Sequence, residues 1–283
     1  MKTIKSIYSL LLILALLATS CSDDGGGNLP DLSRVPIPLL TQVENSDILI
    51  QDPAIFQGKF SVDLLFPEDV APKFIDVVIT MNGDYKTIKV LESNLTSFPT
   101  VIDLDAAKIA SAFGINVSDI VPGDYFEVGA NINTVDGKLI PAFAEVGNQF
   151  SADIANFPGS NLKIKYPVVC PLDLDEFVGE FTIDDPNFWE ASYPVTIERE
   201  GENVLVITGF VEDPDAVIKV TIDPQTTKAS VSKQVFAPVF FSYTNGAVEG
   251  SGEINACENS ITLNLTYTVD QGSFGSYGLT IKK

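Results

Sequence analysis

The chain has 283 residues, with 38 acidic against 17 basic side chains and a formal net charge of −21. Such an acidic surface repels nucleic acid and anionic lipid head groups, so we expect no nucleic-acid partner. Because the sequence contains no histidine, it lacks Ser-His-Asp and Cys-His sites and the usual catalytic zinc sites. A carboxylate pair can hydrolyse glycosides without histidine, but 38 acidic residues supply such pairs by chance. We therefore predict a protein that is not an enzyme and needs no cofactor.

The first 20 residues have the pattern of a secretory signal peptide. Lys2 and Lys5 precede an apolar run over residues 10–17, which is too short for the roughly 20 residues of a membrane-spanning helix. Small residues then lead to Cys21, and residues 17–21 (LATSC) look like a bacterial lipobox, in which the cysteine becomes the acylated first residue. We predict a signal peptide over 1–20, lipidation of Cys21 and attachment to a membrane through that lipid.

The next segment, residues 21–38, is predicted to be a flexible tether. Residues 22–28 (SDDGGGN) have almost no apolar surface to bury, and three prolines stiffen the part that follows. The remaining length suits two domains of about 130 residues each.

The first domain is predicted over residues 39–165 as a β-sandwich with one short helical crossover. Aromatic and β-branched residues indicate strands, and Asn82-Gly83 indicates a hairpin turn. A helix is expected after Asp103 as its N-cap and before Gly114 as its stop, with a second short turn over 115–122. The pattern resembles an immunoglobulin or fibronectin-type module, without the Cys–Trp–Cys spacing of a true immunoglobulin domain. The predicted strands cover residues 60–66, 74–81, 85–91, 125–133 and 139–144.

The second domain is predicted over residues 170–283 as an antiparallel meander, after a connector over 151–169. Eight short strands separated by tight turns are typical of a closed, lipocalin-like barrel or of a second sandwich. Gly179-Glu180-Phe181 is similar to the opening of lipocalin-like barrels. The predicted strands cover residues 180–183, 193–200, 204–211, 217–223, 229–236, 248–254, 260–269 and 277–282.

Two cysteines, Cys170 and Cys257, remain after the lipobox. In an exported protein such a pair predicts a disulfide; the alternative is a pair of buried free thiols. A bridge here would tie the start of the second domain to its closing strands and protect edge strands.

Several short motifs resemble those of one group of surface proteins. Cys21 followed by Ser-Asp-Asp looks like the lipobox and acidic export signal of Bacteroidetes surface lipoproteins. Residues 96–99 (TSFP), 106–114 and 121–124 (VPGD), together with 170–171 (CP) and 177–181 (FVGEF), are similar to SusE-like lipoproteins found beside SusC/SusD glycan-uptake pairs. The resemblance implies an accessory lipoprotein on the outer face of the outer membrane, with a SusC/SusD-type complex as partner, and it transfers no catalytic residues.

Aromatic side chains in the second domain are the candidates for binding an oligosaccharide, because sugar rings stack on flat aromatic faces. Trp189, the only tryptophan, lies in a predicted turn, and its alternative role is to plug one end of the core. The same alternative holds for the other rings near predicted turns. The predicted ligand-binding residues are Phe188, Trp189, Tyr193, Tyr243 and Tyr277.

The acidic turns, such as 173–176 and 212–215, lack the spacing of the twelve-residue calcium loop. We read them as solvated turns and predict no metal site. The overall prediction is a non-catalytic, glycan-binding surface lipoprotein. Two alternatives stay open: an accessory protein that docks on a transporter without binding a ligand, and a lipocalin-like binder of an apolar molecule.

Overall fold

A computed structural model describes residues 34–283. The predicted signal peptide, the lipidation site Cys21 and most of the tether lie outside the described residues. The fold is mainly β, as predicted, with sheets in the N-terminal part and a closed barrel in the C-terminal part. The folded unit begins at Pro36, inside the stretch predicted as tether. Within residues 34–283, no helix has the length and apolar character needed to cross a membrane.

The N-terminal part consists of two antiparallel sheets. Their strands are β1 (Pro38–Gln42), β2 (Gln57–Leu64), β3 (Phe74–Met81), β4 (Lys89–Leu95), β5 (Thr100–Asp105), β6 (Tyr125–Asn133), β7 (Leu139–Ile140) and β8 (Lys163–Pro167). The three-stranded sheet has the order β1-β2-β5, and the larger sheet has the order β4-β3-β6-β7, with β8 also paired to β6.

The core of this part lies between the two sheets. Alternate residues of β2, such as Phe60 and Val62, pack with Val77 of β3 and with Phe126 and Val128 of β6. Alternating burial is the pattern of a sheet with one face on the core. The sandwich with one helical crossover therefore agrees with the predicted fold class.

The crossover helix begins two residues later than predicted. Asp103 belongs to β5, because β5 pairs with β2 as far as Gln57↔Asp105. The N-cap of α1 (Ala106–Phe113) is Asp105, whose carboxylate accepts a hydrogen bond from the Lys108 backbone N–H at 2.7 Å. The helix ends at Gly114, as predicted, with φ at 69°. A 3₁₀ turn (Val117–Asp119) follows, and the other helix is α2 (Ala152–Ala155).

The strand predicted over 85–91 is displaced. The turn after β3 has left-handed Asn82 and Gly83, as the motif predicted, but Asp84 extends it. The Asp84 carboxylate accepts hydrogen bonds from the Lys86 N–H and the Thr87 hydroxyl, and these bonds lower the pKa of that carboxyl. The strand β4 therefore starts only at Lys89.

The C-terminal part is an eight-stranded antiparallel barrel, which decides between the barrel and the second sandwich left open above. Its strands are β9 (Gly179–Asp185), β10 (Ala191–Glu200), β11 (Val204–Thr208), β12 (Val217–Asp223), β13 (Lys228–Phe240), β14 (Tyr243–Asn255), β15 (Ser260–Val269) and β16 (Gly272–Lys282). Successive strands are neighbours, and β16 pairs with β9 to close the barrel. One 3₁₀ turn (Leu174–Phe177) precedes β9, and another (Phe210–Glu212) lies between β11 and β12.

The interior of the barrel is filled with apolar side chains. Along β10, for example, Tyr193, Val195 and Ile197 are buried while the residues between them are exposed. Buried residues from all eight strands form one cluster. Small barrels are filled by side chains in this way, so the barrel is a packed core.

The barrel has two different ends. The end that we call the disulfide end contains the turns at 201–203, 224–227 and 256–259 and the segment before β9. The opposite end, which we call the aromatic end, contains the connections 186–190, 209–216, 241–242 and 270–271. Because β9 runs from one end to the other, Cys170 and Trp189 lie at opposite ends.

Cys170 and Cys257 form a disulfide, the pairing predicted from the sequence, with 87 residues of separation and Cα atoms 5.2 Å apart. It joins the segment before β9 to the β14–β15 turn. The edge strands themselves are protected by the pairing of β16 with β9, rather than by the bridge. At the same end, the Gln51 side chain of the N-terminal part donates a hydrogen bond to the Pro224 carbonyl at 2.6 Å.

The wall of the barrel is incomplete between β12 and β13. Backbone pairing joins these strands only over Thr221–Asp223, next to the disulfide end. Nearer the aromatic end, the Gln234 side-chain amide makes the hydrogen bonds to β12 that a backbone peptide group would make in a regular sheet. It accepts a hydrogen bond from the Lys219 N–H and donates one to the Lys219 carbonyl, both at 2.8 Å. In the same stretch, the pairing of β13 with β14 contains two register shifts, between Val231 and Gln234 and between Val235 and Ala237.

Candidate functional site

Four of the five predicted ligand-binding residues lie around the aromatic end with at least partial exposure. Phe188 and Trp189 belong to the β9–β10 connection, Tyr243 begins β14, and Tyr277 lies on β16. Tyr193 is also near this end, but its ring points into the barrel and is 1% exposed. The fold thus gathers residues that are up to 89 positions apart (Phe188 to Tyr277) in the sequence.

An inner layer of rings closes the barrel at this end. Phe188 stacks on the buried Tyr267 with ring centroids 4.0 Å apart, and it lies 5.1 Å from Tyr277. Phe240, 6% exposed, packs beside Phe188. These rings serve mainly as core, which is the alternative that the sequence left open for this group.

Trp189 lies above that layer and is half-buried. Its indole N–H donates a hydrogen bond to Glu212 Oε2 at 2.9 Å. The indole stacks on Phe241, with centroids 5.5 Å apart and an interplanar angle of 30°. Stacking on Phe240 and Phe241 and the hydrogen bond to Glu212 hold the indole in one orientation.

Phe241 and Tyr243 are the most exposed rings at this end, at 54% and 43%. Phe241 lies in the β13–β14 turn and Tyr243 directly follows it. Phe241 and Ser242 both have positive φ, the pattern of a tight two-residue hairpin. Phe274 contacts both rings, at centroid distances of 6.0 Å and 5.9 Å. We call Trp189, Phe241, Tyr243 and Phe274 the aromatic platform.

The sequence placed Phe241 and Phe274 in aromatic segments that could edge a pocket, but the predicted ligand-binding residues did not include them or Glu212. Phe241 follows the buried Phe240 directly in the sequence. The two rings differ in burial only because they point to opposite sides of the chain. Strict alternation from the buried Val231 would place Val235 inside, yet Val235 is 56% exposed and Phe236 is buried. The register shifts of β13 change the inward-facing set, and the sequence contains no clear signal of them.

Tyr193 supports the site from within. Its hydroxyl oxygen accepts a hydrogen bond from the Val211 N–H at 3.2 Å, and burial raises the pKa of this phenol above its usual value. The bond fixes the 3₁₀ turn that carries Glu212. We therefore assign Tyr193 to the core and do not include it among the ligand contacts.

Asp185 anchors the connection that carries Trp189. This carboxylate is fully buried and accepts a hydrogen bond from the Phe188 N–H at 2.9 Å. The Tyr267 hydroxyl lies 3.5 Å from its other oxygen. Burial, followed by the nearby Asp185 charge, raises the pKa of Tyr267, which keeps the phenol protonated as a donor.

Polar groups line the platform beside Tyr243. Asp270 Oδ2 accepts hydrogen bonds from the Thr244 hydroxyl at 2.9 Å and from the Asn245 amide at 2.8 Å. Gln271 donates to the Thr244 hydroxyl at 3.1 Å. Flat apolar faces next to oriented hydrogen-bonding groups are the combination that sugar recognition requires.

The backbone is strained at this end of the barrel. Glu190, Val211, Glu212 and Phe241 have φ between 45° and 58°, which is unfavourable for residues with a side chain and most so for β-branched valine. Most other non-glycine residues with positive φ are asparagines, which tolerate this conformation. Such strain is concentrated at functional sites in many proteins, and here it positions Trp189, Glu212 and Phe241.

A cleft and the arrangement of possible metal ligands were the other candidates for a site. A cleft of about 950 Å³ in the N-terminal part is lined by 18 residues, including Ile55, Lys59 and Asp103, and by none of the predicted site residues. Within residues 34–283, no three Cys, Asp or Glu side chains are grouped closely enough to hold a metal ion.

No protein-family model matches the chain, and no curated protein matches it.

Proposed function

We propose that this protein is a non-catalytic lipoprotein of the outer-membrane surface that binds an oligosaccharide at the aromatic platform, as an accessory of a SusC/SusD-type uptake system. One observation carries the binding part of the proposal: Trp189, Phe241 and Tyr243 remain accessible while the rings beneath them are buried. Exposing large rings is costly in water unless a ligand covers them. The filled barrel interior favours this outer surface over an internal cavity for an apolar molecule.

The geometry of Trp189 supports a ligand-stacking role. An indole that stacks on the buried Phe240, with ring centroids 6.1 Å apart, and is hydrogen-bonded to Glu212 loses little further freedom when a sugar ring covers it, and such preorganisation favours binding. The polar groups around Asp270 supply donors and acceptors for sugar hydroxyls. The platform also lies at the end of the barrel opposite to Cys170, so the chain connection does not obstruct it.

A glycan array probed with the purified full chain tests the proposal. We expect binding to at least one oligosaccharide, and Trp189→Ala should weaken it about tenfold, because a stacked ring contributes about 1.4 kcal/mol. The matched control is Phe66→Ala, which removes a ring that is 40% exposed on the N-terminal part and should leave binding intact. An array without any Trp189-dependent signal would refute the proposal.

The lipid anchor is tested separately. Cys21→Ala should release the protein from the membrane fraction or leave it unprocessed, because the residue that would carry the lipid is absent. If the Cys21→Ala protein still fractionates with membranes at the size of the processed protein, Cys21 is not the lipid anchor. Protease accessibility on intact cells would then test whether the protein faces outwards.

A second candidate function is docking on a transporter without a ligand. It is favoured by Phe66 and Phe157, which are 40% and 44% exposed and form an edge-to-face pair with centroids 5.5 Å apart. Exposed aromatic pairs are typical of interface anchors. If docking is the function, Phe66→Ala should abolish co-purification of a membrane partner, whereas Trp189→Ala should not.

A further inference from the structure

The connections at the aromatic end of the barrel carry only negative charge. These four connections carry five carboxylates and contain no lysine or arginine; the carboxylates are Glu190, Glu212, Asp213, Asp215 and Asp270. Within residues 34–283, none of the five forms an ion pair with a lysine or arginine, and the ion pairs seen there involve other acids. The negative charge at this end is therefore not balanced by the protein.

The disulfide end provides the contrast. Arg199 pairs with Asp175 at 2.7 Å, and Lys228 pairs with Glu253. The Lys283 ammonium donates a hydrogen bond to the Glu176 carbonyl at 3.1 Å. Two carboxylates at that end, Asp175 and Glu253, are therefore ion-paired, whereas none of the five carboxylates in the connections at the aromatic end is.

Two of the unbalanced carboxylates adjoin the aromatic platform. Glu212 bonds the edge of the Trp189 indole, and Asp270 lies beside Tyr243 through Thr244 and Asn245. A cation above a tryptophan or tyrosine face is attracted by the ring itself, and adjacent carboxylates add to that attraction. An anionic ligand at the same place would be repelled.

We infer that the platform selects oligosaccharides of protonated amino sugars, disfavours uronate-containing or sulfated ones, and binds neutral sugars with intermediate affinity. The inference rests on the proposed function, since it assigns a charge class to the ligand of that same site. Rings supply the stacking that all sugars share, and the carboxylates supply the discrimination. Because the carboxylates are near the surface, the preference decreases as salt shortens the Debye length from about 30 Å at 0.01 M to about 3 Å at 1 M.

Calorimetric titration of the purified full chain with three hexasaccharides tests the inference. The probes are a glucosamine hexamer, its fully N-acetylated counterpart and a galacturonate hexamer, at about pH 5.5, where the amines of the first are mostly protonated. We expect the glucosamine hexamer to bind about fivefold more tightly than the neutral one at low salt. The galacturonate hexamer should bind most weakly.

Two double variants identify the groups responsible. Glu212→Gln with Asp270→Asn removes two charges but retains oxygen acceptors for the indole and for Thr244, and it should bring the ratio of the two affinities close to one. Glu202→Gln with Glu258→Gln removes two charges from turns at the disulfide end and should leave that ratio unchanged. If the affinity ratio falls equally in both double variants, the preference comes from the net charge of the protein, and the inference is overturned.

The outcomes separate the inference from the proposed function. Trp189-dependent binding that is equal or tighter for the neutral or the galacturonate hexamer, or array hits confined to neutral or anionic glycans, would overturn the charge class while the binding function stands. If no glycan of any charge binds, the proposed function fails and the inference fails with it.

Discussion

The two ends of the barrel are made of the same strands but differ in how they are held together. At the disulfide end, a covalent bridge, ion pairs and the backbone pairing between β12 and β13 join the elements. At the aromatic end, the β12–β13 wall opens, the backbone is strained, the carboxylates are unpaired and large rings are exposed. The comparison indicates that one end supplies stability and the other is organised for contact with a ligand, at a cost in stability.

The largest effect should come from removing the bridge. Cys170→Ser with Cys257→Ser should reduce the free energy of unfolding by about 4 kcal/mol, because the bridge closes a loop of 87 residues. The thermal midpoint should fall by roughly 8–16 °C. Scanning calorimetry measures it, and reductant should lower the midpoint of the wild type but not that of the double variant. An unchanged wild-type midpoint in reductant would show that the bridge does not stabilise the disulfide end.

The next effect separates two neighbouring rings at the aromatic end. Phe240→Ala should cost about 3–4 kcal/mol, because it creates a cavity in the barrel core. Phe241→Ala should cost less than about 1 kcal/mol, since its ring is 54% exposed, yet it should weaken glycan binding. Urea unfolding of both variants measures the contrast. Equal costs would mean that Phe241 is a core residue and not part of a binding surface.

Alkaline pH should weaken the interior beneath the aromatic end. Burial raises the pKa of Tyr193 and Tyr267 above the unfolded value of 10.0, so above about pH 10 the unfolded chain loses protons that the folded protein keeps. Their stabilising contribution is therefore complete below that pH and decreases above it, by up to about 1.4 kcal/mol per pH unit for each tyrosine.

Unfolding titrations across this alkaline range measure that slope, and Tyr267→Phe is the matched control. Removing the phenol should make the decline of stability with pH less steep. An identical slope in the variant would show that Tyr267 ionises as easily in the folded protein as in the unfolded chain.

The smallest effect tests the incomplete wall between β12 and β13. Gln234→Ala removes two hydrogen bonds to the Lys219 backbone and should cost about 1–2 kcal/mol in the free energy of unfolding. Hydrogen exchange at the Lys219 amide should accelerate. Gln225→Ala, in the exposed β12–β13 turn, is the control and should change neither measurement; a wild-type exchange rate in Gln234→Ala would mean that the amide does not hold the strands together.

Much of the strand pattern follows from local sequence. The predicted bounds of β3, β6, β12 and β15 agree with the structure, because alternating apolar residues bounded by turn residues specify strands. Errors arose where a neighbouring strand or a side chain changed the local outcome. Pairing with β2 extends β5 to Asp105, and the Asp84 carboxylate prolongs the turn before β4.

The candidate site shows the same division. Composition and turn signals identified Trp189, Tyr243 and Tyr277 as aromatic residues near turns, and the structure brings them to one end of the barrel. These sequence signals could not distinguish the buried Tyr193 from the half-buried Trp189. They also could not identify Glu212, 23 positions away, as the hydrogen-bond partner of the Trp189 indole.

By itself, the sequence determined an acidic, histidine-free, mainly β chain with eight C-terminal strands and one disulfide pair, because period-two alternation, turn residues and composition are local properties. Only the tertiary structure decided that the eight strands close into a barrel, since closure depends on the pairing of β16 with β9 across nearly one hundred residues. It also decided which rings of the aromatic end are exposed. The register shifts in β13 change the side of the strand on which successive residues lie, so burial there follows from strand pairing and not from the order of the residues.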